Sequence, residues 1–77
     1  MYFVYIIHSE KTGRYYAGST NNLEDRLNRH NQSRNKYTKN SAPWTLTRYF
    51  ECATRSKAVL LESKIKKRGI ERFLKEM

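Results

Sequence analysis

Cysteine, proline and glycine are scarce in this chain of 77 residues, and so are acidic side chains and long apolar runs. The single cysteine, Cys52, has no second cysteine with which to form a disulfide framework or a zinc cluster, which favours a reducing, intracellular compartment. The apolar run from Tyr2 to Ile7 is far shorter than the roughly 18 residues of a membrane span, and no basic leader precedes it. The sequence therefore predicts neither a secretory signal nor a membrane anchor.

Acidic side chains are outnumbered by basic ones, with 7 Asp and Glu against 16 Lys and Arg, so the formal net charge is +9. This charge suits nucleic acid, through phosphate neutralisation and counterion release, but it also suits an anionic membrane or an acidic protein. Hydrophobic residues make up 38% of the chain and aromatic residues 13%, which is too rich in ring side chains for a disordered tail. The length predicts one domain, residues 1–77, with one modest core.

The pattern of apolar and turn residues predicts an α+β fold in the order strand, strand, helix, strand, helix, helix. β-branched and aromatic residues from Tyr2 to His8 predict a central strand, and Gly13 closes a polar turn before a second strand over residues 14–18. A polar loop from Asn31 to Pro43 precedes a third strand from Thr45 to Ala53. We expect a small three-stranded mixed or antiparallel sheet with two to three helices packed on it.

Capping residues and apolar spacing predict where the helices lie. The first should run from about Asn22 to His30, and the second should end near Arg68, where Gly69 supplies a left-handed stop. The N-cap candidates are Thr20, Asn21 or Asn22 for the first helix and Thr54 or Ser56 for the second. The short last helix should have an apolar face formed by Ile70, Phe73, Leu74 and Met77.

Two polar side chains flank the apolar stripe that Leu23 and Leu27 form on the first helix. Arg26 and His30 are four residues apart and meet on one helix surface, so they can present a fixed cation and a titratable ring to a common ligand. The alternative is a solvated arginine over apolar neighbours and a histidine whose positive form is favoured at the helix end. The spacing alone favours this alternative.

A carboxylate lies on the apolar side of the second helix. Ala58, Leu61 and Ile65 fall on one arc, and Glu62 projects from the middle of that arc. Because a buried charge costs several kcal/mol unless it is paired or bound to a metal, Glu62 should either pair with a core-edge arginine or bind a cation. Both remain open from the residues alone, with Arg26 as the natural partner in the first case.

Tyrosines are concentrated on the predicted hairpin, at positions 2, 5, 15 and 16. Strand alternation places Tyr16 on the face opposite Tyr15, and most of these rings should be ordinary packing residues. A phenol beside a cation, however, has its ionised form stabilised and can accept a proton.

Taken in order along the chain, these segments resemble the GIY-YIG nucleases, in particular their small stand-alone bacterial members. Phe3-Val4-Tyr5 and Tyr16-Ala17-Gly18 stand where the two tripeptides of the family belong, with Phe3 and Ala17 replacing a glycine and an isoleucine. The other matching segments are Ser19 to Leu27, His30-Asn31, Lys36-Tyr37-Thr38, Pro43-Trp44, and Arg55 to Ala58 leading to Glu62 and Ile65-Lys66-Lys67.

The resemblance implies a metal-dependent DNA endonuclease that hydrolyses phosphodiester bonds by a one-metal mechanism. Glu62 would hold one Mg²⁺ or Mn²⁺, and Arg26 would stabilise charge on the phosphoryl group. Tyr5 is expected to deprotonate the attacking water, with its phenolate made accessible by the metal and Arg26, while Tyr16 positions the phosphate; the two roles are exchangeable. His30 would orient or relay the proton. Nucleic-acid contacts are expected from Gly18, Lys36, Tyr37, Lys39, Lys66 and Lys67.

The expected partner is DNA, with RNA as an alternative ligand, and not a membrane. We expect low sequence specificity, or selectivity for branched or damaged DNA as in DNA repair. The protein is expected in the cytoplasm, associated with the nucleoid. It is expected to act as a monomer or weak dimer, with a protein partner for targeting. The alternative is a catalytically inactive module of the same fold that binds DNA or RNA. A third hypothesis, a domain that docks on an acidic protein, gives no reason for Glu62 beside Arg26 and His30.

Overall fold

The computed structural model describes residues 1–32 and 38–77, and its elements follow the predicted order. They are β1 (Tyr2–Ser9), β2 (Tyr15–Thr20), α1 (Leu23–Asn31), β3 (Trp44–Cys52), α2 (Arg55–Arg68) and α3 (Ile70–Lys75). The α+β fold class is confirmed. No helix in the described ranges is long and apolar enough to cross a membrane.

The three strands form an antiparallel sheet in the order β2-β1-β3. β1 is the central strand, as predicted, because it pairs with β2 on one side and β3 on the other, and both of its faces are covered. Val4 and Ile6 point to one face, and Tyr5 and Ile7 point to the other, and all four are buried. The continuous apolar run of β1 therefore reflects a strand that supplies two cores at once.

Each face of the sheet has its own core. On one face Val4 and Ile6 pack against Ala58 and Ile65 of α2, with partly buried Tyr15 beside them. On the other face Tyr5, Ile7 and Trp44 are buried with side chains that include Tyr16 and the α1 residues Leu23 and Leu27. The candidate functional residues of β1, β2 and α1 lie on this second face. α2 packs on the first face and approaches them at the edge strand β2, where Lys66 Nζ lies 5.6 Å from the centroid of the Tyr16 ring.

The helix ends follow from the capping residues. Asn22 Oδ1 accepts a hydrogen bond from the backbone N–H of Asp25 at 3.0 Å, and Thr54 Oγ1 accepts one from Lys57 at 3.2 Å. Gly69 ends α2 with a positive φ of 95°. One expectation for α3 is wrong: Met77 does not join its apolar face but is 52% exposed, because the helix ends at Lys75.

Candidate active site

Tyr5 and Gly18 are cross-strand partners on β1 and β2, and the phenol of Tyr5 fills the space where Gly18 lacks a side chain. A Cβ atom on Gly18 would lie 2.5 Å from the Tyr5 hydroxyl oxygen and 2.7 Å from Cζ, so any other residue would displace the ring. The structure thus gives Gly18 a packing role, and its contact with nucleic acid stays a prediction. Gly18 is buried, and glycine is needed there so that Tyr5 can lie flat against β2.

His30, in the last turn of α1, is fully buried between Tyr5 and Thr38. Its Nε2 lies 2.9 Å from the Tyr5 hydroxyl oxygen, and its Nδ1 lies 2.7 Å from Thr38 Oγ1. The Trp44 indole N–H donates to the Thr38 carbonyl oxygen at 3.2 Å, which positions the far end of this chain. The ring of Tyr16 lies 5.1 Å from the imidazole, centroid to centroid.

Burial determines the protonation state of His30. Desolvation, helped by the positive charge of Arg26, lowers its pKa from 6.5 to about 4. The alternative of a positively charged histidine at a helix end is therefore wrong, because the dipole of α1 does not compensate for the lost hydration. A neutral imidazole has one N–H donor and one acceptor, so it accepts from Tyr5 while donating to Thr38, or the reverse.

The phenol of Tyr5 is also kept neutral. Its burial and the nearby Tyr16 raise its pKa from 10.0 to about 12, and the charge of Glu62 acts in the same direction. Arg26 acts in the opposite direction, as expected, but is outweighed. Arg26 alone therefore does not make a phenolate of Tyr5 accessible, because desolvation of a buried ring exceeds the effect of a half-buried cation. The expectation that a bound metal and Arg26 do so together stays a prediction.

Arg26 lies half-buried at the edge of this cluster, as expected for a residue that flanks the apolar stripe of α1. Its Nη1 donates a long hydrogen bond of 3.5 Å to the backbone oxygen of Ser19. Its charge influences the pKa of both Tyr5 and His30. Arg26 makes no ion pair with an acid among the residues described, so its guanidinium keeps donors for an anionic ligand.

Glu62 reaches the cluster from α2 but is not a core residue. Its side chain is 21% exposed, and Oε2 accepts from Lys66 Nζ at 2.7 Å. The alternative of an ion pair with Arg26 is not found in the described part of the chain; Lys66 takes that place because it lies one turn away on the same helix and needs no other element to meet the carboxylate. Lys66 Nζ also lies 5.6 Å from the centroid of the Tyr16 ring, so this pair connects α2 to the tyrosines.

The donor set at Glu62 is compatible with a hydrated divalent ion. No group of three or more His, Cys, Asp or Glu side chains in residues 1–32 and 38–77 could hold a metal, which leaves one carboxylate. Mg²⁺ keeps most of its water and often binds through one or two carboxylates, whereas zinc and calcium sites need more protein ligands. Glu62 is a single partly exposed carboxylate of the kind that such an ion uses, and Lys66, which donates to its Oε2, would compete with the ion for that oxygen.

The remaining predicted nucleic-acid contacts are scattered. Lys39, Lys66 and Lys67 are exposed. Of these three, Lys66 lies over the ring of Tyr16. Lys67 lines a separate hollow between α2 and the last residues of the chain. Lys36 and Tyr37 lie outside the described residues. Sequence reasoning missed the contact of Thr38 with His30, because a buried threonine in a polar loop shows no apolar periodicity.

Comparison with known proteins assigns this arrangement to a family. The model of the family described as the GIY-YIG catalytic domain matches residues 1–71. The chain belongs to the GIY-YIG family. Because this is a family of nucleases, the GIY-YIG assignment indicates a nuclease-type function on nucleic acid.

Relatives of this GIY-YIG domain match nearly its whole length. A UPF0213 protein of Bacillus licheniformis is 36% identical over 80 residues, which cover 97% of this chain and 80% of the relative. One from Nitratidesulfovibrio vulgaris is 33% identical over 75 residues, covering 96% of this chain and 67% of the relative. The solution NMR structure of a UPF0213 protein from Bacillus halodurans has a TM-score of 0.57 and 27% identity, covering 99% of this chain and 80% of that chain.

Gly18→Ala should destabilise the GIY-YIG domain by about 1–3 kcal/mol, because the new methyl group would overlap the phenol of Tyr5. The cost should be smaller in a Tyr5→Leu background, where the aromatic ring is gone, as measured by urea unfolding of all four proteins. Gly13→Ala is the control, since nothing lies within 4 Å of that position and its cost comes from a φ of 75°. An equal cost of Gly18→Ala in both backgrounds would contradict this packing.

Acidification should destabilise the domain through His30. The pKa of His30 is about 4 in the folded protein and 6.5 in its ordinary range, so unfolding favours the protonated ring. The contribution of neutral His30 to the free energy of unfolding is therefore complete above pH 6.5 and is lost as the pH falls towards 4. The loss should reach about 3 kcal/mol. Urea unfolding between pH 7 and pH 4 should show a shallower decline for His30→Gln than for the wild type. His8→Gln should keep the wild-type decline; the same slope in all three proteins would refute the assignment.

Proposed function

We propose that this domain is a metal-dependent DNA endonuclease that hydrolyses phosphodiester bonds with one divalent ion. One observation carries the proposal: the buried Tyr5–His30 hydrogen bond lies beside Arg26, and the Glu62–Lys66 pair reaches the same tyrosines from α2. Hydrolysis of a phosphodiester needs a proton acceptor for water, positive charge at the phosphoryl oxygens and support for the departing oxygen. These residues are suited to the three tasks.

Tyr5 and His30 are assigned to the attacking water together. Since the pKa of Tyr5 is about 12, its phenol accepts a proton readily only if its own proton leaves at the same time. The neutral His30 takes that proton at Nε2, 2.9 Å away, in the tautomer whose Nδ1–H donates to Thr38 Oγ1. The proton of water then moves to the Tyr5 oxygen as the phenolic proton moves to His30, and no free phenolate forms.

Arg26 and Tyr16 are assigned to the phosphate. A guanidinium is always protonated and can bridge two phosphoryl oxygens, and Arg26 is held at the cluster by its bond to Ser19. The ring of Tyr16 is near both the imidazole of His30 and the ammonium of Lys66, with its centroid 5.1 Å from the imidazole centroid and 5.6 Å from Lys66 Nζ. A phenol at this point can donate to a phosphate oxygen.

Glu62 is assigned to hold one Mg²⁺ or Mn²⁺, which when bound supplies positive charge to the phosphate and the departing oxygen. Lys66 must then release or share the carboxylate, to which it donates at 2.7 Å. Its side chain is 46% exposed, so water can replace the lost contact at low cost. A released Lys66 stays beside Tyr16, where its charge can contact the substrate backbone.

The proposed substrate is DNA, cut with low sequence specificity and selected by structure, as at branched or damaged sites in DNA repair. Phosphate contacts position a protein without reading bases, and the assigned residues are suited to phosphate. We propose action as a monomer or weak dimer, with a protein partner for targeting. The Lys66 contact to Glu62 favours one competing function, a module that binds DNA or RNA without cutting it.

Cleavage is tested with supercoiled and branched DNA in Mg²⁺, Mn²⁺ or chelator. Arg26→Lys should lower kcat on the order of 100-fold, because an ammonium cannot bridge two phosphoryl oxygens. Arg29→Lys, which changes an exposed arginine paired with Asp25, should keep the wild-type rate. Equal rates for Arg26→Lys and the wild type would reject the bridging role, and binding without cleavage by the wild type would assign the non-catalytic function.

Glu62→Gln should abolish turnover and largely keep DNA binding, because the amide has the shape of the carboxylate without its charge. It should also weaken Mn²⁺ binding, followed through the electron paramagnetic resonance of the free ion. Glu51→Gln, an exposed glutamate of β3, is the matched control and should change neither property. Unchanged Mn²⁺ affinity in Glu62→Gln would show that the ion binds elsewhere, and circular dichroism shows whether the variant is folded.

A further inference from the structure

An open groove of about 900 Å³ runs between the turn that joins β1 to β2 and the start of α3. Four basic side chains line it, and we call it the basic groove: Arg14 from the turn, Lys66 from α2, and Arg72 and Lys75 from α3. Three separate parts of the chain thus bring positive charge to one concave surface. None of the functions assigned so far uses Arg14, Arg72 or Lys75.

The charge of the basic groove is largely uncompensated. Arg14, Arg72 and Lys75 make no ion pair with any acid within residues 1–32 and 38–77, and all three are exposed. Glu71 is the acid of the groove lining, and Glu76, the other acid of this region, is paired with Arg68. Like charges held together on one surface cost stability, which a polyanionic ligand would offset.

The basic groove is continuous with the candidate active site through Lys66. This residue lines the groove, lies over the ring of Tyr16 and holds the carboxylate of Glu62. A chain of phosphates that enters the active site at Arg26 can therefore continue past Lys66 towards Arg72 and Lys75. A strand of duplex carries a phosphate about every 3.4 Å along its axis, so a domain of 30 × 26 × 17 Å covers several of them.

Building on the proposed nuclease function, we infer that the basic groove binds the phosphodiester backbone on one side of the scissile phosphate. The active site contacts one phosphate, and the groove would neutralise its neighbours and set the direction of the strand. Arginine and lysine at a backbone site supply affinity and register without base readout. The groove is therefore a binding site for the substrate strand and takes no part in the chemistry.

Binding is measured by fluorescence anisotropy with labelled DNA duplexes of two unrelated sequences in chelator, over a range of NaCl concentrations. The double variant Arg72→Ala and Lys75→Ala should bind more weakly, and the slope of log K against log salt should be shallower by about 2, one for each lost phosphate contact. The control removes Arg55 and Lys57, two exposed cations at the opposite end of α2, and should leave the slope within about half a unit of the wild type.

The same variants are assayed with a small diester, bis(p-nitrophenyl) phosphate, and with DNA in Mn²⁺. The groove variant should hydrolyse the small diester at the wild-type rate but show a raised KM for DNA, because the small diester has no flanking phosphates. An unchanged slope and KM, equal losses in the control variant, or losses that depend on base sequence would overturn the groove assignment. Hydrolysis of neither substrate by the wild type would overturn the nuclease proposal, and a shallower slope would then still support the groove as a backbone-binding site.

Discussion

The buried hydrogen-bonded chain from Tyr5 through His30 to Thr38 is the constraint on which the candidate active site depends. It joins the central strand, the end of α1 and the turn before β3, which are distant in sequence. A buried polar group that loses its partner costs about 1–3 kcal/mol, so none of the three can move without penalty to the others. Across residues 1–32 and 38–77, no buried side-chain nitrogen or oxygen lacks a partner. The pocket is therefore built with its polar groups already aligned, and the glycine of β2 is the small residue that makes room for the phenol.

Desolvation separates the site into a neutral interior and a charged rim. Burial keeps the phenol of Tyr5 and the imidazole of His30 uncharged, as the opposite directions of their pKa shifts show. The permanent charges of Arg26, Glu62 and Lys66 lie at the edge, where water still reaches them. This division suits the handling of protons inside the pocket and the binding of a charged phosphate outside it. The ion pair of Glu62 and Lys66 contributes little to stability because it is partly exposed, so it can be exchanged for another cation.

Properties that depend on local spacing were predicted from the sequence, and those that depend on tertiary contacts were not. The order of the elements and the central position of β1 follow from periods of two and 3.6 residues, and the caps at Asn22 and Thr54 are among the candidates that the sequence offers. The exposure of Glu62 could not be predicted because a helical wheel gives the face of a carboxylate and not its depth, although its partner Lys66 lies at the local i,i+4 spacing. The neutral state of Tyr5 in the protein alone could not be predicted, because the charge of Arg26 is visible in the sequence, whereas the degree of burial that outweighs it is not.

The position of Arg26 also ties substrate binding to the proton chemistry. Its positive charge is one of the two causes that lower the pKa of His30, the larger being burial. On the proposed function, a phosphate that binds Arg26 brings negative charge beside the imidazole and offsets the effect of the Arg26 charge. The proton affinity of His30 therefore rises when the substrate is in place. Linkage requires the reverse as well, because a proton on His30 then strengthens phosphate binding by the same factor. The imidazole would thus be a poor proton acceptor in the free protein, where neutrality maintains the fold, and a better one in the complex, where it is needed.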